Sequence, residues 1–315
     1  MTKPRTSRPD LWFVRQRGTV LARAGYQEMP VSRIIVALQG HYLVGEWNRM
    51  PELPEVETIV RRLRSPLVGR TVMGVNVKCR SMVQIPDEHL TDRLLGQRIQ
   101  DVQRRGKFVC VLLSGGDSLV VHLRMTGDLN VCSATEDPHR HDRVVFHLDN
   151  DRQLRFNDQR KLGRVQLIDN PARCFGRLGP EPLGDAFTEG DFLALFGRRS
   201  RLIKPLLLDQ TFIAGVGNIY ADESLFVAGI QPQRPADTLF DEEKRWLYQA
   251  IRQVLADAIV HEGSSLADET YKGGRYQGHF SVYGREGQPC SRCGCTIRRI
   301  RLGQRSSHFC PGCQQ

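Results

Sequence analysis

Four cysteines near the C-terminus restrict how this chain folds more than any other feature of its sequence. Cys290 and Cys293 form one C-x2-C pair, and Cys310 and Cys313 form a second pair after sixteen intervening residues. Two such pairs supply the four thiolates of a tetrahedral structural zinc site. Disulfides are the alternative, but the basic N-terminus is not followed by an apolar signal core, so we expect no oxidising compartment. The spacing therefore predicts one structural Zn²⁺ ion.

The residues between the two cysteine pairs predict a β-ribbon. Two short segments of alternating character flank Gly303-Gln304, and arginines are frequent in both. A ribbon of this size cannot hold a core, so its folding depends on the metal. Cys295 breaks the C-x2-C spacing and is predicted not to be a ligand. The remaining cysteines are predicted to be buried small apolar residues; they are Cys79, Cys110, Cys132 and Cys174.

The positive charge lies at the two ends of the chain. The net charge is +10 over 315 residues, yet residues 1–49 hold eight basic and three acidic residues, and residues 285–315 hold six arginines and one acid. The rest is neutral. An anionic partner is indicated, with nucleic acid the first candidate. No run approaches the ~18 apolar residues of a membrane span, so no membrane partner is expected.

The periodicity of the sequence changes near residue 176. Before it, short alternating segments separated by Gly, Asp and Asn turns predict a β-sandwich or barrel, preceded by one helix that begins near Pro54. After it, a Gly/Pro-rich linker leads into helical periodicity. Strands are predicted over residues 70–77, 108–113, 118–123, 143–148, 153–156 and 164–168. Helices are predicted over residues 192–196, 203–208, 218–228 and 241–261, with Gly229 and Gly263 ending the last two.

The dipeptide at Pro51-Glu52 has a chemical use beyond starting a helix. Pro and Glu are both common in a first helical turn, which is the simpler interpretation. However, Met50 directly precedes Pro51, and removal of that Met leaves a secondary α-amine. Such an amine has a pKa of only ~8, so part of it is neutral near pH 7 and can attack an aldehyde-level carbon. Glu52 lies beside it as a general acid or base.

Four separated motifs carry a family resemblance. They are Pro-Glu-Leu-Pro-Glu-Val-Glu-Thr from Pro51, Gln-Arg-Arg-Gly-Lys-Phe ending at Phe108, Gly-Val-Gly-Asn-Ile-Tyr-Ala-Asp-Glu from Gly215, and the finger's Gly-Gln-Arg from Gly303. Residues 50–315 thereby resemble the formamidopyrimidine-DNA glycosylase family, which also includes endonuclease VIII. The resemblance implies an α+β multidomain fold: an N-terminal β-sandwich with a leading helix, a helix–two-turn–helix domain and a C-terminal β-ribbon zinc finger.

The resemblance also implies domain limits. Residues 1–49 are expected to be an extension that is either non-native or upstream of the true start, and residues 50–175 are expected to form the catalytic β-sandwich. A linker follows over residues 176–188. Residues 189–283 form the helix–two-turn–helix DNA-binding domain, and residues 284–315 the zinc finger.

Catalytic roles follow from the same resemblance. Pro51 matches the nucleophile that attacks the sugar C1′ and forms a Schiff base, and Glu52 matches the acid that helps to open the deoxyribose. Lys107 matches the lysine assigned to β-elimination, although the residue pattern alone favours a solvated lysine at a strand edge. Arg305 matches the arginine that grips the lesion's phosphate and is linked to δ-elimination.

Other positions match DNA contacts of the family. Asn218 opens a helix, where its amide and the free N–H groups can hold a phosphate, unless it is a simple N-cap. Lys204, Arg199 and His141 match basic DNA-contacting positions; solvated surface residues are the alternative for all three.

Three further positions match side chains that fill the gap left when a base is flipped out of the duplex. Met125 and Arg160 match two of the family's inserting residues. The third is usually Phe, and here it is Leu162, which can wedge a base step but cannot stack on it. The departure affects lesion search and opposite-base preference rather than the chemistry.

These matches predict a bifunctional DNA glycosylase and AP lyase that excises oxidised purines from double-stranded DNA by β,δ-elimination. An endonuclease VIII-like preference for oxidised pyrimidines is one alternative. A non-catalytic, zinc-dependent DNA-binding protein is the other, if Pro51 is not the mature N-terminus. We also expect a monomer in the bacterial cytoplasm, associated with the nucleoid.

Overall fold

The structure, a computed structural model, describes most of the chain from Met50 onward and two short strands before it. Those strands, β1 (Phe13–Gln16) and β2 (Thr19–Ala22), pair antiparallel within a unit over Met1–Trp47. All other elements belong to a unit over Asn48–Gln315. No helix among the described residues is long and apolar enough to cross a bilayer. The described residues are 13–16, 19–22, 50–84, 87–169, 174–197, 199–264 and 274–315.

A helix and two four-stranded antiparallel sheets form the first part of the larger unit. One sheet has the order β10-β6-β5-β4 and the other the order β3-β8-β9-β7. The elements are α1 (Leu53–Leu67), β3 (Val72–Val77), α2 (Asp87–Leu94), β4 (Ile99–Arg105), β5 (Phe108–Leu113), β6 (Ser118–His122), β7 (Gly127–Ser133), β8 (Asp142–Leu148), β9 (Arg152–Asp158) and β10 (Arg164–Ile168).

The inward faces of both sheets share one apolar core with α1. Val109 and Phe146 contribute from the two sheets, and Ile59 and Leu63 contribute from the helix; all four are at most 1% exposed. Alternation along each strand turns its apolar side chains to this core and its polar ones to solvent. The predicted β-sandwich with a leading helix is therefore confirmed.

Some elements and burial states differ from the sequence-based expectation. Strands β4 and β7 and helix α2 were not predicted. A bulge between Ile99 and Asp101 breaks the alternation in β4, and β7 has few large apolar residues. Of the four scattered cysteines only Cys110 is fully buried; the prediction was wrong for the other three, which are half-buried. Cys132, for example, lies on β7, an edge strand that has a neighbour on one side only.

Helices dominate the chain after the Gly/Pro-rich linker. They are α3 (Glu189–Phe196), α4 (Ile203–Leu207), α5 (Asn218–Ala228) and α6 (Asp241–Val260). They enclose a second core, to which Phe192, Tyr220 and Leu247 contribute. Gly229 ends α5 in the left-handed conformation, at φ 73°, as the sequence predicted.

The C-terminal residues form the predicted ribbon. Strands β11 (Arg298–Leu302) and β12 (Arg305–Phe309) pair antiparallel around the two-residue turn Gly303-Gln304. Its own apolar core is small and includes Phe226 of α5, Val282 and Ile297. Burial alone therefore contributes little to the stability of this ribbon.

Candidate active site and zinc centre

The catalytic candidates Pro51 and Glu52 lie where α1 begins, against the start of α5. Both residues are buried, and Glu52 is 4% exposed. The Glu52 carboxylate accepts hydrogen bonds from the backbone N–H groups of Ile219 (3.0 Å) and Tyr220 (3.3 Å). These are free N–H groups of the first turn of α5, where the helix dipole also favours negative charge. In the full chain the Pro51 nitrogen is part of the peptide bond to Met50.

Burial controls the protonation of Glu52. Desolvation raises its pKa to about 7, against the opposing effect of the nearby Lys107 charge; the negative charge of Glu55 raises it further. A carboxyl group with this pKa is about half protonated at neutral pH, so it can either donate or accept a proton.

Lys107 is buried beside Glu52 rather than solvated at a strand edge. It lies in the turn between β4 and β5 and is 6% exposed. Desolvation lowers its pKa, an effect that the negative charges of Glu52 and Glu55 oppose and the positive charge of Arg305 reinforces. The structure thus brings three of the four catalytic candidates, Glu52, Lys107 and Arg305, into one electrostatic cluster.

Glu181, in the linker, fixes the turn that carries Lys107. Its carboxylate accepts hydrogen bonds from the Gly106 backbone N–H (2.5 Å) and from the guanidinium groups of Arg105 (2.8 Å) and Arg104 (2.6 Å). Sequence reasoning placed Glu181 only in a Gly/Pro-rich linker. Its partners lie more than seventy positions earlier, and no local pattern indicates the contact.

A second buried carboxylate, Glu55, holds the start of α1 in place. It accepts from the Glu52 backbone N–H (2.9 Å), the Tyr220 hydroxyl (2.5 Å) and the Ser264 backbone N–H (2.8 Å). The sequence analysis did not assign it a role. A Glu three residues after the helix N-cap is the pattern of a capping box, which was the available signal.

Glycines allow α5 to approach α1 this closely. A Cβ on Gly217 would lie 2.7 Å from Cγ of Glu52 and closer still to its carboxyl carbon. A Cβ on Gly215 would lie 2.7 Å from Cδ1 of Leu53, and Gly215 also has a left-handed φ of 86°. The Gly-Val-Gly segment is therefore required by the contact between the two helix starts.

We expect Gly217→Ala to disable the site while sparing the fold. The new methyl group has to displace the Glu52 carboxylate from the N–H groups of α5, and loss of a positioned acid costs about a hundredfold or more in rate. Single-turnover base excision and thermal unfolding measure the two effects. Gly190→Ala is the matched control, because a Cβ there meets only the Thr188 hydroxyl oxygen at 3.7 Å. An excision rate within threefold of the parent would contradict the expectation.

Asn218 is the first residue of α5, and Gly217 is the N-cap. The alternative, that Asn218 is a simple N-cap, is thus excluded. Its half-buried side chain has an amide oxygen with no hydrogen-bond partner among the described residues. A side-chain amide at a helix start with an unsatisfied hydrogen-bonding atom is suited to contact a ligand.

Lys204 is fully buried, so it is not the solvated surface residue of the alternative. Its Nζ lies 2.6 Å from the Asp222 carboxylate and donates to the Ser306 backbone oxygen at 2.7 Å. Asp222 also accepts from the His308 backbone N–H (2.9 Å). The sequence analysis did not single out Asp222, which joins α4, α5 and β12.

The other predicted DNA contacts lie at or near the surface. Arg199 is exposed and lies over the Phe212 ring, 5.5 Å from its centroid. His141 is half-buried; desolvation and then the charges of Arg140 and Arg143 lower its pKa, so it is a neutral donor or acceptor. Arg160 is exposed, whereas Met125 is half-buried and Leu162 is 37% exposed.

The four cysteines of the finger meet as predicted. The sulfur atoms of Cys290, Cys293, Cys310 and Cys313 all lie within 4.8 Å of one another. Four thiolates at this separation match the donor set and size of a tetrahedral zinc site, and one structural zinc ion fits here. Cys295 is exposed and lies outside this group. The finger carries Arg305, the first residue of β12, which is exposed.

Glu223 of α5 holds residues 281–283, the segment that leads into the finger. Its buried carboxylate accepts from the backbone N–H groups of Ser281 (2.8 Å), Val282 (3.0 Å) and Tyr283 (2.8 Å). Helix α5 therefore holds Glu52 through the N–H groups of its first turn. The same helix holds the zinc ribbon and the segment before it through Asp222 and Glu223. This arrangement explains physically why one motif contains Gly-Val-Gly, Asn, Tyr and Asp-Glu.

Three family models match successive parts of the chain. The formamidopyrimidine-DNA glycosylase N-terminal domain matches residues 50–165, its H2TH domain matches residues 178–270, and the zinc finger found in FPG and IleRS matches residues 287–315.

Whole proteins match over the same region. Formamidopyrimidine-DNA glycosylases of Herpetosiphon aurantiacus and Lactiplantibacillus plantarum are 47% and 43% identical, over 84% and 83% of this chain and 100% and 98% of theirs. A structure of MutM in complex with carbocyclic 8-oxo-G containing DNA has a TM-score of 0.79 and 37% identity, and one of Lactococcus lactis FPG with a FAPY-dG containing DNA has 0.78 and 36%. Each covers 84% of this chain and 100% of the solved chain. With its buried Pro-Glu start, its helix pair and its four-cysteine ribbon, this chain belongs to the formamidopyrimidine-DNA glycosylase family.

Proposed function

We propose that the functional form of the chain begins at Pro51 and excises oxidised purines, among them 8-oxoguanine and formamidopyrimidines, from duplex DNA. As a family member the chain is a DNA glycosylase of base excision repair with AP lyase activity. The observation that carries the proposal is the buried, electrostatically interacting pair of Glu52, the residue that follows Pro51, and Lys107.

The chemistry begins with the Pro51 amine. Its neutral nitrogen bonds to C1′ of the damaged nucleotide as the bond from C1′ to the base breaks, and the base leaves with a proton. Glu52 in its protonated form delivers a proton to the ring oxygen, which opens the sugar, and the amine loses its own proton to give an iminium. Loss of the C2′ proton then expels the 3′ phosphate, and a second elimination expels the 5′ phosphate. Each elimination uses the iminium as its electron sink.

Lys107 serves these eliminations as a proton acceptor, and Arg305 supplies positive charge. Burial lowers the pKa of Lys107, so a larger fraction of it can accept a proton than in an exposed lysine. Arg305 is exposed at the turn of the ribbon, where a bidentate guanidinium can bind a phosphate leaving group.

Damaged double-stranded DNA is the proposed partner. Exposed arginines lie along both strands of the ribbon, and Arg199, His141 and Asn218 offer further phosphate contacts. Lys204 enters this scheme indirectly: its ion pair with Asp222 holds β12, and a direct phosphate contact would require that pair to open. A monomer in the cytoplasm, associated with the nucleoid, remains a prediction.

Two duplexes distinguish the proposed substrate class from the nearest alternative. Protein beginning at Pro51 is expected to excise 8-oxoguanine at least about tenfold faster than thymine glycol, because specificity resides in the contacts that a pocket makes with a flipped base. Single-turnover excision from otherwise identical duplexes measures the ratio. Faster excision of thymine glycol would establish the endonuclease VIII-like alternative instead.

A further inference from the structure

Two neighbouring loops carry the residues predicted to enter the base stack. Met125 lies between β6 and β7, whereas Arg160 and Leu162 lie between β9 and β10. Gly127, the first residue of β7, lies opposite Asp158, the last residue of β9, in the antiparallel register. The two loops are therefore neighbours at the same end of this strand pair. The function of the three side chains depends on how this pair of loops is held.

One buried carboxylate connects the two loops. Asp158, the last residue of β9, is 0% exposed. Its carboxylate accepts from the Arg160 backbone N–H (3.1 Å) and the Gly163 backbone N–H (2.7 Å), which fixes both ends of the second loop. It also accepts a short hydrogen bond from the Thr126 hydroxyl, which belongs to the first loop. The Thr126 hydroxyl oxygen in turn accepts a hydrogen bond from the Arg160 backbone N–H at 3.2 Å.

The loops adopt backbone conformations that need such support. Arg124 and Lys161, one in each loop, both have φ of 57°, the left-handed region that non-glycine residues rarely adopt. A residue in that region persists only where its surroundings determine it. Gly163 packs so closely that a Cβ would lie 3.0 Å from Cε1 of Phe156 and closer still to Cζ.

We propose that Asp158 is the positioning residue that holds Met125, Arg160 and Leu162 as one preformed inserting surface. The inference rests on the proposed function, since it concerns insertion into DNA. Because the loops are ordered before DNA binds, their ordering entropy does not oppose base extrusion. Asp158 itself is fully buried and has its oxygens occupied, so it acts through the loops and not by touching DNA. Rigid placement matters more here because Leu162 lacks an aromatic ring that could stack.

Asp158→Asn is the first test. The amide keeps the shape of the side chain but replaces one acceptor oxygen with an NH₂ group. That NH₂ group then faces another donor, a backbone N–H or the Thr126 hydroxyl, and one hydrogen bond is lost. We expect single-turnover excision of 8-oxoguanine to fall about tenfold or more, the scale of one lost buried hydrogen bond. Fluorescence of 2-aminopurine opposite the lesion is expected to show slower unstacking. Asp149→Asn is the matched control: this half-exposed Asp lies at the other end of β9, in the β8–β9 turn, and the variant should match the parent.

A second background separates positioning from general support of the fold. In protein that already carries Met125→Ala, Arg160→Ala and Leu162→Ala, adding Asp158→Asn should change excision by less than about twofold, because the side chains to be positioned are gone. An undiminished tenfold loss in that background would overturn the proposal, as would parent-like excision by Asp158→Asn alone. If Asp158→Asn does not fold, Thr126→Val removes one donor of the same network and is read by the same criteria. A parent that does not excise 8-oxoguanine would refute the proposed function itself, which is a distinguishable result.

Discussion

Protein that begins at Pro51 is expected to be trapped on 8-oxoguanine DNA by borohydride, whereas protein that keeps residues 1–50 is expected to give no adduct. Trapping requires an iminium, and an iminium requires an amine at Pro51. In the longer chain that nitrogen is an amide, which is not nucleophilic. The difference between the two folded proteins is therefore all or none.

Gel analysis of the trapped complex, with the N-terminus of each preparation verified by mass spectrometry, measures this result. Pro51→Gly retains an amine but a primary one, so the adduct should weaken sharply without vanishing if the secondary amine matters. An adduct formed by protein that retains Met1 would contradict the mechanism. Absence of an adduct from protein beginning at Pro51, with DNA binding intact, would favour the non-catalytic alternative.

Loss of one zinc ligand is the second change with a large expected effect. Cys310, one of the four cysteines of the group, is 0% exposed. We expect Cys310→Ser to release the zinc and unfold the ribbon, because metal binding supplies ~10 kcal/mol or more of the folding free energy of such a site. Affinity for DNA should then fall on the order of a hundredfold, since the arginines of the ribbon lose their fixed placement on the phosphates.

Zinc content, measured with a colorimetric chelator, and fluorescence anisotropy of labelled DNA give the two readouts. Cys295→Ser is the control, because Cys295 is exposed and outside the group, and it should keep both zinc and affinity. The helical core should survive in both variants, because its apolar residues form a cluster separate from that of the finger. Tight DNA binding by Cys310→Ser in the presence of chelator would show that zinc is not needed to fold the ribbon.

Much of the fold followed from short-range patterns. The C-x2-C pairs predicted the zinc centre, and the turn Gly303-Gln304 predicted the ribbon. Apolar alternation predicted six of the eight strands in the sandwich. It missed β4, where a bulge between Ile99 and Asp101 breaks the alternation, and β7, which has few large apolar residues. The Met50-Pro51 dipeptide indicated the amine, and motif resemblance supplied the role of Lys107, which no periodicity indicates.

The sequence by itself determined which chemistry is available: a proline that can become an N-terminal amine, an acid next to it and four thiolates at zinc spacing. Only the tertiary structure decided which groups work together. Glu52 meets the N–H groups of Ile219 and Tyr220 from 167 and 168 positions away. Burial then raises the pKa of Glu52 and lowers that of Lys107. Desolvation and charge proximity depend on how distant segments pack, and composition and local spacing do not contain that information.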